Sequence, residues 1–322
     1  MRQQLGCPNR KLIPSRWLEC LWCTRLKRLE GIRMSDVTVV GTGAMGSAIA
    51  RRFLAKTLDV TVWNRTPVKT QALEAEGVHT DIDLASALRA SALIVVCVID
   101  YNASRQLLGS PGIADALNGR SVIQFTGGTP AEAAKAEEWM QAAQVNYLDG
   151  AIMCYPGDLG RDGSQILVCG DETEFERWKT ILSCLAEDLR FVGDNIRSAK
   201  TLDMALLSRF VGLKFSAMHG AHICESEGVS LIELANLLPE TDNARRMIET
   251  IVSDDFTLGP GSASVDVAKA VWAAMKSQAN SRGINSDLPD LFLKWCEAGA
   301  EQGWGNLDNA CLIKILRQSS QN

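Results

Sequence analysis

The chain has no long hydrophobic run, no regular cysteine pattern and no excess of positive charge. Its longest apolar stretch, residues 92–99, is far too short to cross a bilayer. The ten cysteines follow no regular spacing, which is typical of free thiols in a reducing compartment, so we expect a cytoplasmic protein. A net charge of −5 gives no reason to expect nucleic acid as a partner. What remains, over 322 residues, is the composition of a globular protein with two domains.

The most informative segment follows the first predicted strand, residues 37–40. A glycine turn comes next, then a helix, then a second apolar strand over residues 60–63. The turn has G-x-G-x-x-G spacing, which permits a tight bend, close approach of the backbone to a pyrophosphate, and close packing of helix on strand. The pattern predicts a Rossmann-type dinucleotide-binding domain. The residues that we expect around the pyrophosphate are Gly41, Gly43, Ala44, Met45 and Gly46.

The residues after the second strand predict which dinucleotide is bound. An NAD site usually has an acidic residue there, which binds the ribose 2′-hydroxyl. This chain instead has amide, guanidinium, hydroxyl and ammonium groups, on Asn64, Arg65, Thr66 and Lys69. Because an arginine can pair with two oxygens of one phosphate, these groups suit the 2′-phosphate of NADPH/NADP+. The alternative is a basic turn that is simply exposed to solvent.

Strands and helices alternate up to residue 192, and no convincing strand follows residue 195. Because the carboxyl ends of parallel strands form the ligand crevice, we expect residues 100–102 and 126–130 near the nicotinamide, with Thr126 and Gly127 in the cofactor site. Apolar periodicity over about 28 residues predicts one long helix at 198–225. The predicted domains are a leader (1–33), an NADP-binding domain (34–194), an interdomain helix (195–225) and a helical substrate and dimerisation domain (226–322).

The leader carries a local charge of +6 and a C-x-x-C pair, Cys20 and Cys23. Too few further ligands are present for a zinc site. An organellar targeting peptide is an alternative, but the segment is poor in serine and lacks an amphipathic stripe. We expect translation to start at Met34, or the leader to be a disordered tail, so that deleting it leaves folding and activity intact.

Six segments give the chain a resemblance to a known family. They read VGTGAMGSAIA, VTVWNRT, FTGGTPAEA, YLDGAIMCYPGDLG, AKTLDMALLS and GWGNLDNACLIKIL. Their order resembles the 6-phosphogluconate and β-hydroxyacid dehydrogenase superfamily, and the last four resemble its imine reductases and reductive aminases. The resemblance implies an α/β Rossmann N-terminal domain, a long interdomain helix and an all-α C-terminal domain. It also implies NADPH-dependent reduction of imines and a homodimer with exchanged helical domains.

Two positions set this branch apart from the β-hydroxyacid dehydrogenases. Where such dehydrogenases have a serine-glycine-glycine signature, this chain has apolar Met153 and Cys154. Where they have a lysine for alcohol chemistry, it has Asp203, which the resemblance implies is the catalytic acid. A buried carboxyl beside the imine nitrogen could donate a proton or pair with the iminium. The alternative for Asp203 is an exposed carboxylate paired with Lys200 or Arg209.

Other positions limit the activity that the resemblance implies. Fungal-type reductive aminases tend to have asparagine at Gly127 and tyrosine at Val211. Both changes remove hydrogen-bonding groups, which favours reduction of preformed imines over condensation of ketone with amine. Two alternatives stay open: a β-hydroxyacid dehydrogenase with an atypical proton donor, and a non-catalytic NADP(H)-binding protein.

Five further residues have modest interpretations. His219 and His222 share one helix face, but no third ligand is apparent, so we predict no metal site. Trp272 and Met275 belong to a helix that lies near the substrate in the family, and plain core packing is the alternative. Tyr155 is a substitute proton donor if Asp203 is not the acid.

Overall fold

The computed structural model describes residues 34–240, 242–259 and 262–319. The expectations for the leader, residues 1–33 with its C-x-x-C pair, lie outside these residues. The described chain begins with a single sheet flanked by helices and continues as a set of helices. We call residues 34–194 the sheet region and residues 198–319 the helical region.

Eight strands form the sheet, in the order β3-β2-β1-β4-β5-β6-β7-β8. They are β1 (Val37–Val40), β2 (Val60–Trp63), β3 (His79–Thr80), β4 (Leu93–Val96), β5 (Ser121–Gln124), β6 (Asn146–Ile152), β7 (Gln165–Gly170) and β8 (Asp188–Phe191). All neighbours are parallel except β6 and β7, which are antiparallel. Every predicted strand is present, and the antiparallel pairing of β6 with β7 was not anticipated.

Seven α-helices connect these strands. They are α1 (Ala44–Ala55), α2 (Gln71–Ala75), α3 (Leu84–Arg89), α4 (Tyr101–Leu108), α5 (Ala114–Leu117), α6 (Pro130–Ala142) and α7 (Glu172–Leu182), with 3-10 turns at Pro67–Thr70 and Pro156–Asp158. Capping residues fix where several of them start. The Thr129 side chain accepts from the backbone N–H of Glu132, whose carboxylate accepts from the backbone of Thr129 in return, and α6 begins with Pro130.

Buried side chains cover both faces of the sheet. Successive residues of a strand point to opposite faces, so Val95 joins one apolar cluster and Val96 the other. The central strands β1 and β4 are buried along their whole length, as their continuous apolar sequences predict. Because both faces are covered, ligands reach the sheet only at its strand ends.

The long helix α8 (Ser198–Ser226) confirms the helix predicted for this segment. Its first turns pack against β6, β7 and α6, and its later turns pack against the helices that follow. One element therefore contacts both the carboxyl ends of the sheet and the core of the helical region. A side chain on its early turns is held at the border between the two.

The remaining helices are α9 (Leu231–Asn236), α10 (Asn243–Ser253), α11 (Val265–Arg282), α12 (Asp287–Glu301) and α13 (Ile313–Ser319), with a 3-10 turn at Asn309–Leu312. Their shared core centres on rings of Phe215, Trp272, Phe292 and Trp295, whose centroids lie 4.7–6.0 Å apart. Trp272 and Met275 are buried in this core. The only strand pairing in the described helical region is an isolated bridge between Ser264 and Asp308. No described helix is long and apolar enough to span a membrane.

Candidate functional site

The glycine turn between β1 and α1 is shaped by close backbone contacts. Gly41 has φ +98°, and a Cβ there would collide with the carbonyl oxygen of Cys97. A Cβ on Gly46 would collide with the carbonyl oxygen of Gly41. Gly43 differs, because a Cβ there would meet no protein atom within 4 Å. The turn is thus tight on its inner side and open at Gly43, as close approach of a pyrophosphate requires.

A cavity of about 380 Å³ opens at this turn. The first turn of α1 has no side-chain cap and no acidic residue, so its backbone N–H groups are available to an anion. The lining contains two cations and no carboxylate. The lining residues are Gly41, Gly43, Ala44, Met45, Gly46, Trp63, Asn64, Arg65, Thr66, Lys69, Cys97, Val98, Ile99, Ala103 and Leu107. The residues present suit a phosphate-bearing dinucleotide.

Nine of the eleven residues predicted to bind the cofactor line this cavity, and those after β2 divide into two roles. The Asn64 side chain accepts from the backbone N–H of Thr42 at 3.1 Å and donates to the carbonyl of Thr66 at 3.0 Å. It therefore ties the end of β2 to the glycine turn. Arg65 and Lys69 are exposed, and among the described residues their side chains have no hydrogen-bond or ion-pair partner. They are therefore free to contact an anionic ligand in the cavity.

Thr126 and Gly127 lie outside the lining of the cavity. Thr126 is fully buried, and its hydroxyl accepts from the backbone N–H of Val98, a lining residue, at 3.3 Å. Gly127 is exposed at the end of β5. Thr126 therefore supports the wall of the cavity from behind, which differs from the direct contact that we expected.

Asp203 lies on the second turn of α8 and is half-buried. Burial raises the pKa of its carboxyl above the ordinary value, while the Lys200 charge lowers it and the Asp149 charge raises it. Its side chain has no hydrogen-bond or ion-pair partner among residues 34–240, 242–259 and 262–319. The structure therefore has no ion pair between Asp203 and Lys200 or Arg209, although the Lys200 charge acts on this carboxyl. A desolvated carboxyl without a partner keeps its proton to a higher pH than an exposed aspartate does.

A buried charged cluster lies one helical turn before Asp203, and sequence reasoning missed it. The Lys200 Nζ donates to the carbonyl oxygens of Thr126 and Gly150, at 2.6 Å each, and lies 3.6 Å from Asp149 Oδ1. Asp149 Oδ2 accepts from the hydroxyls of Tyr101 at 2.6 Å and Tyr147 at 2.7 Å. The signal in the sequence was an aspartate inside an apolar central strand, which needs a buried partner.

The segment after β6 is apolar and partly buried, as the motif comparison predicted. Met153, Cys154 and Tyr155 are half-buried, and burial raises the pKa of Cys154 to about 11 and the pKa of Tyr155 above its usual value. Both groups are therefore neutral at physiological pH. Within the described residues no group of three metal-ligating side chains occurs, and His222 lies 3.6 Å from the Glu225 carboxylate.

Comparisons with known proteins agree with this geometry. The profile of the NAD binding domain of 6-phosphogluconate dehydrogenase matches residues 36–193. An NADPH-dependent reductive aminase of Aspergillus oryzae is 28% identical over 204 residues, which are 63% of this chain and 68% of that enzyme. The solved imine reductase of Myxococcus stipitatus in complex with NADP+ is 29% identical, with a TM-score of 0.62, over 87% of this chain and 99% of that one.

A solved reductive aminase of Aspergillus terreus, in complex with NADPH4, cyclohexanone and allyl amine, is 26% identical. Its TM-score is 0.58, over 88% of this chain and 99% of that one. The profile, the relatives and the fold confirm the resemblance seen in the motifs. The chain is similar to imine reductases and reductive aminases along most of its length, and the findings support an NAD(P)-dependent oxidoreductase with a domain like the NAD binding domain of 6-phosphogluconate dehydrogenase.

Proposed function

We propose that this protein reduces imines to amines with NADPH. The observation that carries the proposal is the Asp203 carboxyl, which is desolvated and has no partner within the described residues. The nearest lysine, Lys200, uses its amine for two carbonyl oxygens and one carboxylate and is only 1% exposed. It cannot serve as the proton donor of an alcohol dehydrogenase, so this geometry favours C=N over C=O chemistry.

Asp203 would supply the proton of the reaction. Burial favours its neutral form, so the carboxyl can protonate the imine nitrogen or hydrogen-bond to it. NADPH, when bound, supplies the hydride that adds to the imine carbon. The nitrogen gains the proton, the carbon gains the hydride, and Asp203 is left as a carboxylate that solvent reprotonates. Apolar Met153 and Cys154 would limit water around the C=N group.

The preference for NADPH over NADH rests on the charge of the cavity lining. Arg65 and Lys69 provide two positive charges, and no lining residue is acidic. A 2′-phosphate can pair with Arg65 through two charged oxygens, whereas a 2′-hydroxyl has a single uncharged oxygen to accept from that guanidinium. Thr66 adds a hydroxyl at the same edge. Asn64 contributes indirectly, by holding the turn that presents these groups.

We propose that a second copy of this chain completes each active site. The two copies would exchange their helical domains, as the resemblance to the imine reductase family implies. An exposed apolar stripe on α8 supports this arrangement. Leu202, Leu206 and Leu213 share one helix face and are 42%, 41% and 45% exposed. Such a stripe on a helix that already packs on two sides is suited to bury against an equal stripe. The proposed domains are those expected from the sequence, with α8 as the connection.

The test uses three substrate panels: NADPH consumption is followed with cyclic imines and with ketone–amine pairs, and NADPH formation is followed with small hydroxy acids and NADP+. We expect turnover of cyclic imines, weaker turnover of ketone–amine pairs and none of hydroxy acids. Oxidation of hydroxy acids without imine reduction would show alcohol chemistry with an atypical proton donor. Tight NADPH binding without turnover of any panel would show a non-catalytic binding protein.

A further inference from the structure

A continuous chain of hydrogen bonds joins the cofactor cavity to the start of α8. The backbone N–H of Val98, in the cavity wall, donates to the Thr126 hydroxyl, and the Thr126 carbonyl accepts from Lys200 Nζ. The same Nζ donates to the Gly150 carbonyl. Lys200 thus bridges the segment just after β5 and the later part of β6, two neighbouring strands, from a position one helical turn before Asp203. Any movement of α8 against the sheet would break these bonds.

The Lys200 ammonium is balanced by a carboxylate that is held from its other side. Asp149 is completely buried on β6, and its Oδ1 has no hydrogen bond within the described residues but lies 3.6 Å from Nζ. Tyr101 on α4 and Tyr147 on β6 both donate to Oδ2. The Tyr101 ring also lies 5.8 Å from Nζ. Three parts of the sheet region, the segment after β5, strand β6 and helix α4, therefore contact the Lys200 Nζ atom of α8.

The buried pair of Lys200 and Asp149 is an expensive way to pack α8 on the sheet in terms of folding free energy. Burying two charges costs free energy that an apolar pair of the same size would avoid. A methionine and a leucine could fill the space and pack α8 on the sheet. The ammonium differs from such a pair because it fixes the rotation and height of the helix through directed bonds and because it carries charge. Both properties act on the residue one turn further along.

We propose that Lys200 is a positioning residue for the Asp203 carboxyl. Its bonds to the segment after β5 and to β6 fix the start of α8 on the sheet, and so set the distance of that carboxyl from the cavity. Its positive charge, opposed by the negative charge of Asp149, acts on the same carboxyl. The assignment rests on the proposed function for its catalytic meaning. It goes beyond that function in giving Lys200, Asp149 and the two tyrosines a role.

The charges that face Asp203 have opposite effects. Burial is the main cause that raises its pKa; Lys200, on the same helix, lowers the pKa, and Asp149, on β6, raises it. Two further groups lie around the cluster itself. Cys169 on β7, near Asp149 and Lys200, is neutral because burial raises its pKa to about 12. Glu132 on α6, near Tyr101, has its carboxylate engaged at the cap of that helix. Because Lys200 and Asp149 shift the pKa of Asp203 in opposite directions, the effect of each can be tested separately.

The first experiment measures the titration of Asp203 directly, without turnover. Aspartate carboxyl ¹³C shifts are followed against pH in the full chain, and the Asp203 signal is assigned by its loss in Asp203→Asn. We expect Lys200→Met to move the titration to higher pH, because a positive charge is removed. We expect Asp149→Asn to move it to lower pH, because a negative charge is removed while Lys200 stays. If the substitutions only loosened the fold, the titration of Asp203 would shift in the same direction in both variants.

The second experiment compares kcat with NADPH affinity. We expect either variant to lower kcat for cyclic imines by about 10- to 100-fold, the size of a misplaced catalytic group, with the Kd of NADPH changed less than about threefold. Tyr147→Phe, which keeps both charges, should have a smaller effect on both readouts. Circular dichroism checks that each variant folds. If Lys200→Met does not fold, Asp149→Asn is isosteric and still gives a signed shift.

Unchanged titration of Asp203 in the folded variants, or shifts of the same sign, would overturn the assignment. The proposed function fails separately, if the unmodified protein reduces no imine. The titration result would still show whether the Lys200–Asp149 pair controls the Asp203 carboxyl.

Discussion

The sheet region and the helical region differ in how completely they cover their own apolar surface. Among the described residues, three large apolar side chains are exposed in the sheet region, Val68, Ile82 and Ile99, whereas thirteen are exposed in the helical region. The sheet is covered on both faces by its own helices. The helical region has one core and leaves the outer faces of α8 and its neighbours uncovered. We infer that the first region is complete as one chain, whereas the second would cover these faces with a second copy.

The same difference appears in the chemistry that each region provides. The sheet region presents backbone N–H groups at a glycine turn and the exposed side chains of Arg65 and Lys69. These groups are open to a ligand from solvent. The helical region provides a desolvated carboxyl, Asp203, and the role that we propose for it requires water to be excluded. We therefore expect cofactor binding to depend on one chain, and turnover to depend on two.

Substitution of Asp203 tests the catalytic half of this comparison and should have the largest effect. Asp203→Asn keeps the size of the side chain and removes its proton and charge. We expect kcat for neutral imines to fall by about 10²- to 10⁴-fold, the usual range for general acid–base catalysis, with NADPH affinity unchanged. Steady-state kinetics with a cyclic imine and fluorescence titration of NADPH measure both quantities.

Two controls sharpen that result. Asp162→Asn, on an exposed turn, makes the same chemical change away from α8 and should leave kcat unchanged. An N-methylated iminium substrate carries a permanent charge and needs no proton, so its reduction should fall much less in Asp203→Asn. If Asp203→Asn reduces neutral imines at a near wild-type rate, the proton donor must be solvent or Tyr155.

Substitution of Arg65 tests the binding half. Arg65→Ser should weaken the interaction with NADPH by about 1.5–3 kcal/mol, as for a hydrogen bond to a charged group, which is about 10- to 150-fold in kcat/KM. NADH lacks the 2′-phosphate, so its kcat/KM should hardly change. Lys69→Ala should lower kcat/KM with NADPH less than Arg65→Ser does. Arg89→Ser lies outside the cavity and should leave kcat/KM with NADPH unchanged. Equal kcat/KM for NADPH and NADH in the unmodified protein would contradict this assignment.

Substitution on the α8 stripe tests whether the helical region needs a second copy. A double change, Leu206→Asp with Leu213→Asp, places two charges on the stripe and should convert a dimer into a chain of 35.0 kDa by light scattering. We expect imine turnover to fall about tenfold or more while NADPH still binds. The matched control is Ile82→Asp in the sheet region, which is 85% exposed and should change neither mass nor turnover. A monomeric unmodified protein at micromolar concentration would break the comparison.

Much of the sheet region could be predicted because its signals are local. The glycine spacing, the apolar strands and the basic residues after β2 each follow from neighbouring residues, and the structure places them around one cavity. The Lys200 bonds could not be predicted in this way. They join residues that are 74 and 50 positions apart, and the sequence gives no rule for which strand end a helix side chain reaches. The partnerless state of Asp203 depends on that choice, because Lys200 was its nearest predicted partner.

The smallest expected effect concerns the stability cost of the Asp203 carboxyl. Burial raises its pKa in the folded protein, so the folded state binds this proton more tightly than the unfolded state does. Its contribution to stability is therefore greatest at low pH and is lost as the pH rises through the folded-state pKa. Asparagine does not titrate and has no such loss. We expect Asp203→Asn to be more stable than the unmodified protein at pH 8, by about 1 kcal/mol or less, and to lose that advantage near pH 4. Thermal unfolding at the two pH values measures the difference, and a gain that is largest at pH 4 would show that the carboxylate is stabilised in the fold.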